Sequence, residues 1–322
     1  MLYKKHTSLI FLLLLPQIVG AQAIDNTLSF KHIHEERYIR FNYENDFFSA
    51  TDKYYTQGIH IELASPAMKY FPLSKLLLHP KWTNTLYGIG IEHNGYTPTA
   101  IEKESILYGD RPFAACLFLK TFRISTDPVN RQRFSSSIIT GVIGQAAGGK
   151  EMQEGIHKWT DNLTPRGWHN QVNNDIILNY QAGYEKQLWS SRNALSLSMD
   201  GMVRIGTFSN KAAIGGTIMI GHFDSPFTNA PANRKTLRIY AYEHPEINVT
   251  AYDATLQGGM FNKSSPYTIN AADITPITFQ NRFGFVVIYK GLCLEYFQSM
   301  RSSDFKTGNY HVWGGIQIAF AL

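Results

Sequence analysis

The sequence predicts an all-β fold: a closed antiparallel β-barrel of about 12 strands in a bacterial outer membrane, with a short helix in an extracellular loop. Most of the chain alternates apolar and polar side chains, as strands with one lipid-facing side do. Its 322 residues include 18 Tyr and 20 Phe, which suit the aromatic girdles of such barrels. Beyond the N-terminal leader, no window of roughly 18 consecutive apolar residues indicates a transmembrane helix.

Residues 1–23 have the pattern of a cleaved secretory signal peptide. Lys4 and Lys5 precede an apolar run at 9–15, and Ala21 and Ala23 follow it. The run is too short to cross a bilayer, so we expect export rather than anchoring. We expect residues 24–322 to form one transmembrane β-barrel domain, because no linker, low-complexity tract or repeat divides them.

Charge and cysteine content exclude some functions. The formal net charge is +5, and the leader holds two lysines and no acidic residue, so its removal leaves +3. This mild excess gives no indication of nucleic-acid binding. Cys116 and Cys293 fall in predicted strands that lie far apart in the sheet, so we expect two buried thiols rather than a disulfide.

Alternation is clearest in 193–206, 275–289 and the C-terminal segment. In 193–206 the apolar phase is Leu195, Leu197, Met199, Val203 and Ile205, and the polar phase is Ser196, Ser198, Asp200 and Arg204. The last segment alternates up to Leu322. A soluble β-sandwich would also alternate, but the strand lengths, the aromatic content and this apolar closing strand favour the barrel.

Twelve segments qualify as strands, and an even number suits a closed single-chain barrel. They are 36–45, 54–64, 84–94, 111–124, 132–143, 174–188, 193–206, 211–222, 235–256, 275–289, 291–300 and 309–321.

One segment, 141–159, interrupts the strands with a helical pattern. After a glycine pair, residues 150–159 can form a short helix on which Gln153 and His157, four positions apart, share one face. Such a helix against the barrel wall would enclose His157 in a slot. The alternative is an ordinary exposed loop histidine, and there is no H-x-x-x-H pair to indicate a histidine metal site.

The first strand ends in a second group of polar residues. Asn45 falls on the outward phase with Phe41 and Tyr43, and Asp46 follows. An uncovered amide in hydrocarbon costs free energy, which indicates a functional role; the alternative is turn chemistry in the headgroup layer. By the same counting Thr56 faces the lumen, away from Asn45, unless a β-bulge shifts the register.

Two further loop motifs have structural interpretations. Asp110 and Arg111 could pair as a buried or lumenal salt bridge, and Trp168, in "RGWHNQ", is expected to be an interfacial aromatic anchor.

Four stretches together give the chain a resemblance to a known family. They are "ENDFFSATDKYYTQG", "GDRPFAA", "GVIGQAAGGKEMQEGIH" and "GWHNQVNN", which occur in this order along nearly the whole mature chain, with "TLQGG" at 255–259 as a weaker match. In them the chain resembles the outer-membrane lipid A 3′-O-deacylase family of the LpxR type.

The resemblance implies a twelve-stranded barrel whose active site lies on its outer surface, between the wall and the short helix. It implies hydrolysis of the 3′-linked acyloxyacyl ester of lipid A, in the outer leaflet, with Ca²⁺ or another divalent cation and a water nucleophile. By position, His157 is the base and Gln153 its helical neighbour, while Asn45, Asp46 and Thr56 come from the wall. Lipopolysaccharide is the expected partner and a monomer the expected state.

The chain departs from the family pattern at two positions. Tyr108 stands where the family has a lysine before "GDR", so Tyr108 and Arg111 are the substrate-binding candidates of that element. Leu163 stands where the family has a glutamate that helps to hold the metal. Asp161, two residues earlier, is therefore the candidate that joins Asn45 and Asp46 as metal ligands.

Two other functions remain open from the sequence. An outer-membrane phospholipase would usually need a serine nucleophile near a histidine, and no G-x-S-x-G motif is present. A non-catalytic structural barrel would explain the two departures but not the retention of Asn45, Asp46, Gln153 and His157.

Overall fold

A computed structural model describes residues 28–31, 33–49, 53–82, 84–192, 194–228 and 234–322. The signal-peptide prediction falls on residues outside these ranges. Twelve antiparallel strands form a closed barrel in which each strand pairs with its neighbours in sequence and β1 pairs with β12. The strands are β1 Tyr38–Asn45, β2 Tyr54–Ala64, β3 Asn84–Thr97, β4 Ala114–Asp127, β5 Gln132–Ile143, β6 Asp175–Ser191, β7 Leu195–Gly206, β8 Ser209–His222, β9 Arg238–Asp253, β10 Ile277–Tyr289, β11 Leu292–Arg301 and β12 His311–Ala321.

This architecture confirms the predicted fold class, and the strand boundaries differ only locally. β4 begins at Ala114 rather than at 111, since Pro112 has no N–H to give to the ladder. β9 ends at Asp253 rather than at 256, because the Asp253 carboxylate caps the short helix α2, Ala254–Gln257. No helix among the described residues is long and apolar enough to span a bilayer.

The two faces of the wall differ in chemistry. On β1, Ile39 and Phe41 are exposed on the outside, whereas Arg40, Asn42 and Glu44 are buried in the lumen. Inward charges are paired: the Arg40 guanidinium contacts the Glu62 carboxylate, and Arg282 Nη2 lies 3.1 Å from Glu295 Oε1. The apolar phase of the predicted alternation thus faces lipid on the outside, and the polar phase forms ion pairs in the lumen.

The chain ahead of β1 fills part of the lumen. Residues Ser29–Lys31 form a buried 3₁₀ turn, the Ser29 N–H donates to Glu185 Oε2 at 2.9 Å, and the Phe30 ring stacks on Tyr242 with ring centroids 4.1 Å apart. Cys116 and Cys293 are free and buried, as predicted.

The longest connection, residues 144–174 between β5 and β6, carries helix α1, Gly149–Thr160. The helix begins after Gly148, which has a left-handed backbone (φ 72°) that favours glycine. It lies against the outside of the wall: a Cβ on Gly149 would come 2.4 Å from Ala115 Cβ and 2.8 Å from the Trp168 ring. Ala115 belongs to the outward phase of β4, since Leu117, two residues on, is exposed.

Five buried side chains form an outer cluster between this connection and the wall: Ile101, Phe113, Ala115, Ala147 and Trp168. The outer cluster is a small apolar core outside the barrel, and it fixes α1 against the wall.

The close packing of Gly149 against Ala115 and Trp168 can be tested by substitution. We expect Gly149→Val to lift α1 from the outer cluster, because neither Ala115 nor the Trp168 ring can retreat by the required distance. Trypsin should then cleave after Lys150 or Lys158 at least about tenfold faster in the folded barrel, as local unfolding exposes those sites.

Gly155→Ala is the matched control, because a Cβ there meets nothing within 4 Å. Alanine at an exposed helix position is worth about 0.5–1 kcal/mol over glycine, so cleavage should be unchanged or slower. Equal cleavage rates in the Gly149→Val variant and the wild type would contradict this account of how α1 is held.

Candidate functional site

A cleft of about 430 Å³ lies between α1 and the outer ends of β1 and β2. Its described lining residues are Tyr43, Asn45, Asp46, Phe47, Thr56, Gln57, Gln153, Ile156, His157, Trp159, Thr160 and Asn162. The structure therefore brings together Asn45, Asp46, Thr56, Gln153 and His157, which the sequence motifs had assigned to one site.

His157 is buried on the inner face of α1, and its ring is oriented by the chain that follows the helix. Its Nδ1 lies 2.5 Å from the backbone carbonyl oxygen of Leu163. A carbonyl can only accept, so Nδ1 carries the proton and Nε2 carries the lone pair when the ring is neutral. Leu163 thus contributes its backbone carbonyl to the site. The family pattern at this position concerns only the side chain and does not predict this contact.

Gln153 is held by Trp168. The Trp168 Nε1–H donates to Gln153 Oε1 at 2.7 Å, and both side chains are buried. This assigns the amide orientation and leaves Gln153 Nε2 as a buried donor with no hydrogen-bond partner in the described chain. The expected role of Trp168 as an interfacial anchor is wrong, since its side chain is 1% exposed and belongs to the outer cluster.

Asn45 and Asp46 are shaped by the turn that ends β1. Asn45 Oδ1 accepts the Phe47 N–H at 2.7 Å and its Nδ2 donates to the Tyr43 hydroxyl at 3.1 Å. The buried Asp46 accepts the Lys53 N–H at Oδ2, at 2.5 Å. Local hydrogen bonds thus fix both side chains at the cleft.

Thr56 reaches the cleft because of a β-bulge. In the β2–β3 ladder Tyr55 pairs with Tyr96 and Gln57 with Gly95, so Thr56 is the extra residue. Regular alternation along β2 would point the Thr56 side chain into the lumen. Because of the bulge, Thr56 lines the cleft instead. Its buried hydroxyl oxygen has no hydrogen-bond partner among the described residues.

The other predicted site residues lie outside the cleft lining. Tyr108 is 81% exposed and packs edge-on against Tyr267, with ring centroids 5.4 Å apart. Arg111 is buried and pairs with Asp304, at 3.3 Å, rather than with the Asp110 carboxylate, so the expected salt bridge between neighbours is wrong. Asp110 instead accepts from the Thr99 backbone and hydroxyl.

Asp161 ends α1 in a left-handed conformation with φ 53° and is exposed. Its neighbour Asn162 lines the cleft in its place.

The rim of the cleft is apolar and exposed. Phe47 is 66% exposed on one side and Trp159 is 87% exposed on the other. Tyr43 continues the outward phase of Ile39 and Phe41, so the cleft opens on the outer side of the wall. The sequence does contain a signal for this rim: the large aromatics Phe47 and Trp159 follow Asp46 and His157, respectively, within a residue or two.

The oxygen atoms that line the cleft are suitable ligands for a hard cation. Amide and carboxylate oxygens come from Asn45, Asp46 and Asn162, and the hydroxyl of Thr56 has no hydrogen-bond partner among the described residues. Oxygen ligands of this kind suit Ca²⁺. A different ligand type lies elsewhere: Asp200, His244 and Glu246, in the lumen, are the one histidine–carboxylate group of the described chain with spacing that could hold a metal.

Comparisons with known proteins bear on the family. A sequence model of the family described as "Outer membrane protein LpxR" matches residues 8–322. LpxR from Salmonella typhimurium shares the fold, with a TM-score of 0.72 at 18% identity over 88% of this chain and 100% of that one. The β domain of the Bordetella autotransporter BrkA gives a TM-score of 0.44 at 8% identity over 89% of this chain and 100% of that one.

No curated protein sequence matches the chain. The family match covers nearly its whole length and includes every cleft residue. The chain is therefore a member of the LpxR family of bacterial outer-membrane β-barrels, the family that its sequence motifs indicated.

Proposed function

We propose that the protein is a metal-dependent lipid A 3′-O-deacylase, which hydrolyses the 3′-linked acyloxyacyl ester of lipid A in the outer leaflet. The observation that carries this proposal is the cleft itself: on the lipid-facing side of the wall it combines a buried histidine, a carboxylate and two polar groups that have no hydrogen-bond partner within the described chain. Membership of the LpxR family supports it.

The surroundings of the cleft favour a lipid substrate. Phe47 and Trp159 present apolar surface on both sides of its mouth, and aromatic side chains of this kind partition to the boundary between headgroups and acyl chains. The two longest connections, 144–174 and 254–276, lie at the same end of the barrel as the cleft, and in this class of protein the longer loops are extracellular. Lipopolysaccharide occupies that leaflet.

His157 is the general base of the proposed reaction. With Nδ1–H given to the Leu163 carbonyl, Nε2 accepts a proton from water as the water oxygen attacks the ester carbonyl. The same nitrogen then returns the proton to the leaving 3′-oxygen, which releases a carboxylic acid and an alcohol. We assign water as the nucleophile, because no serine or cysteine is among the described lining residues, Thr160 donates its hydroxyl to the Ile156 carbonyl, and Thr56 is assigned to the substrate below.

Asn45 and Asp46 would hold the cation, with Asp161 or its neighbour Asn162 completing the set from the end of α1. When bound, Ca²⁺ would supply a Lewis acid that polarises the ester carbonyl and stabilises negative charge on its oxygen. Gln153 Nε2–H and the Thr56 hydroxyl are buried and have no hydrogen-bond partner among the described residues, and we assign them to hydrogen bonds with substrate oxygens.

Tyr108 and Arg111 contribute differently in this proposal. The exposed Tyr108 ring is available to contact the saccharide headgroup. Arg111 acts indirectly, because its contacts with Asp304 and Thr255 fix the connection that carries Tyr108.

His157→Ala should remove most deacylation, because no other described residue that lines the cleft is a histidine that could take the proton. Lipid A from cells that express each variant would be compared by mass spectrometry, with calcium and with chelator. The expected result is loss of an acyloxyacyl mass in the wild type with calcium alone, and a fall of roughly 100-fold or more in the variant.

His169→Ala is the matched control, since this histidine lies in the same connection but is exposed and outside the cleft. It should retain wild-type activity. Unchanged lipid A in the wild type, from a barrel shown to be folded in the outer membrane, would overturn the proposal. Release of fatty acid from glycerophospholipids instead would favour the phospholipase alternative.

Trp168→Phe tests how Gln153 is positioned. The ring is retained but the Nε1–H that orients the amide is lost, so we expect kcat to fall roughly 10- to 100-fold with little change in KM. Gln153→Leu should cost a similar amount, and the double variant should cost no more than either single change, because both remove one interaction. Additive losses would show that Trp168 acts through packing alone.

A further inference from the structure

A second group of ligand-type side chains lies inside the barrel, apart from the cleft. Asp200 comes from β7, and His244 and Glu246 come from β9. One ligand atom from each lies within 4.8 Å of the other two. Asp200 Oδ1 is 3.7 Å from His244 Nδ1, and Glu246 Oε2 is 3.8 Å from His244 Nε2.

Strand β8, which lies between β7 and β9, has a glycine, Gly215, where the three side chains meet. Asp200 pairs with Gly215 of β8, and Gly215 pairs with Glu246, so the three residues form one inward row across the sheet. A Cβ on Gly215 would come 2.8 Å from His244 Cε1 and 3.0 Å from Nε2. The glycine therefore makes the space in which the imidazole lies between the two carboxylates.

The neighbouring groups orient the ligand atoms. The Thr217 hydroxyl lies 2.9 Å from His244 Nδ1, and the Asn248 amide donates to Glu246 Oε1 at 2.7 Å. His244 is 3% exposed, and its Nε2 has no hydrogen-bond partner within 3.5 Å in the part of the chain that the structure describes, since the Glu246 carboxylate that faces it is 3.8 Å away. A second hydrogen bond on the far side of each ligand is the usual arrangement around a protein-bound metal.

A similar histidine elsewhere in the lumen shows what distinguishes this group. His60 lies 3.8 Å from Glu62 and 3.6 Å from Glu92, but Glu62 pairs with Arg40 and Glu92 lies 3.7 Å from Lys120. Glu246 has a charged neighbour in Lys211, whose Nζ donates to Asn248 Oδ1 at 3.3 Å, but no lysine or arginine nitrogen of the described ranges lies within the 4.0 Å of an ion pair with Glu246. Buried carboxylates need a positive partner. Around His60 the protein supplies an arginine and a lysine at ion-pair distance, whereas the basic neighbour Lys211 lies beyond that distance from Glu246.

We propose that Asp200, His244 and Glu246 bind a divalent transition-metal ion, for which one imidazole and two carboxylates are a suitable ligand set, with Zn²⁺ as the probe. The ion links β7 to β9 across β8 and adds positive charge between the buried Asp200 and the half-buried Glu246. It is separate from the cation of the proposed deacylase site, whose ligands are oxygen atoms on the outer side of the wall.

The test is Zn²⁺ binding to the full-length folded barrel, purified without a histidine tag and stripped with chelator. Calorimetric titration should show one site per chain, and saturating Zn²⁺ should raise the thermal unfolding temperature. His244→Gln, which can still bond to Thr217, should weaken binding roughly 100-fold and remove the temperature shift.

His60→Gln is the matched control and should bind Zn²⁺ as the wild type does. Gly215→Val, which keeps all three ligands but fills the space, should lose the site as well; its folding is checked by gel mobility before and after heating. Absence of binding to the wild type, or equal binding by His244→Gln, would overturn the proposal and leave a protonated His244 as the partner of both carboxylates.

Discussion

Closure of the hydrogen-bond ladder is the constraint on which the rest of the structure depends. In hydrocarbon every backbone N–H and C=O must be paired within the protein, and the pairing of β1 with β12 leaves no strand edge unpaired. Once the wall is closed, each strand must present apolar residues to lipid and can place its polar residues only inside. The ion pairs of Arg40 and Arg282 and the inward-folded segment at Ser29–Lys31 follow from that division.

A polar site on the lipid-facing side needs departures from this regularity. The bulge at Thr56 takes one hydroxyl out of the alternation, and the turn after Asn45 satisfies its amide locally. The connection from β5 to β6 supplies the rest by laying α1 over the wall, where the outer cluster anchors it. The cleft is thus built from a bulge, a turn and a covering helix.

Sequence reasoning succeeded where a simple period governs the structure. Twelve strands and their inward and outward faces follow from alternation, which the bilayer enforces along each strand. It failed where the deciding contact is non-local. Nothing near Trp168 shows that its indole bonds to Gln153, and nothing near Arg111 shows that its partner is Asp304, 193 residues away. Counting by two also misplaced Thr56, since a bulge depends on the partner strand.

The cleft opens sideways, between Phe47 and Trp159, toward the bilayer. The relevant concentration of a membrane ligand is then its mole fraction in the leaflet. A ligand that enters the cleft from the bilayer would arrive by diffusion in a plane, so occupancy would follow its mole fraction in the leaflet rather than its amount per volume. Diluting a suspension of membranes would leave occupancy unchanged, whereas adding an inert lipid to the same membranes would lower it. Occupancy of the cleft by such a ligand would therefore report the composition of one leaflet.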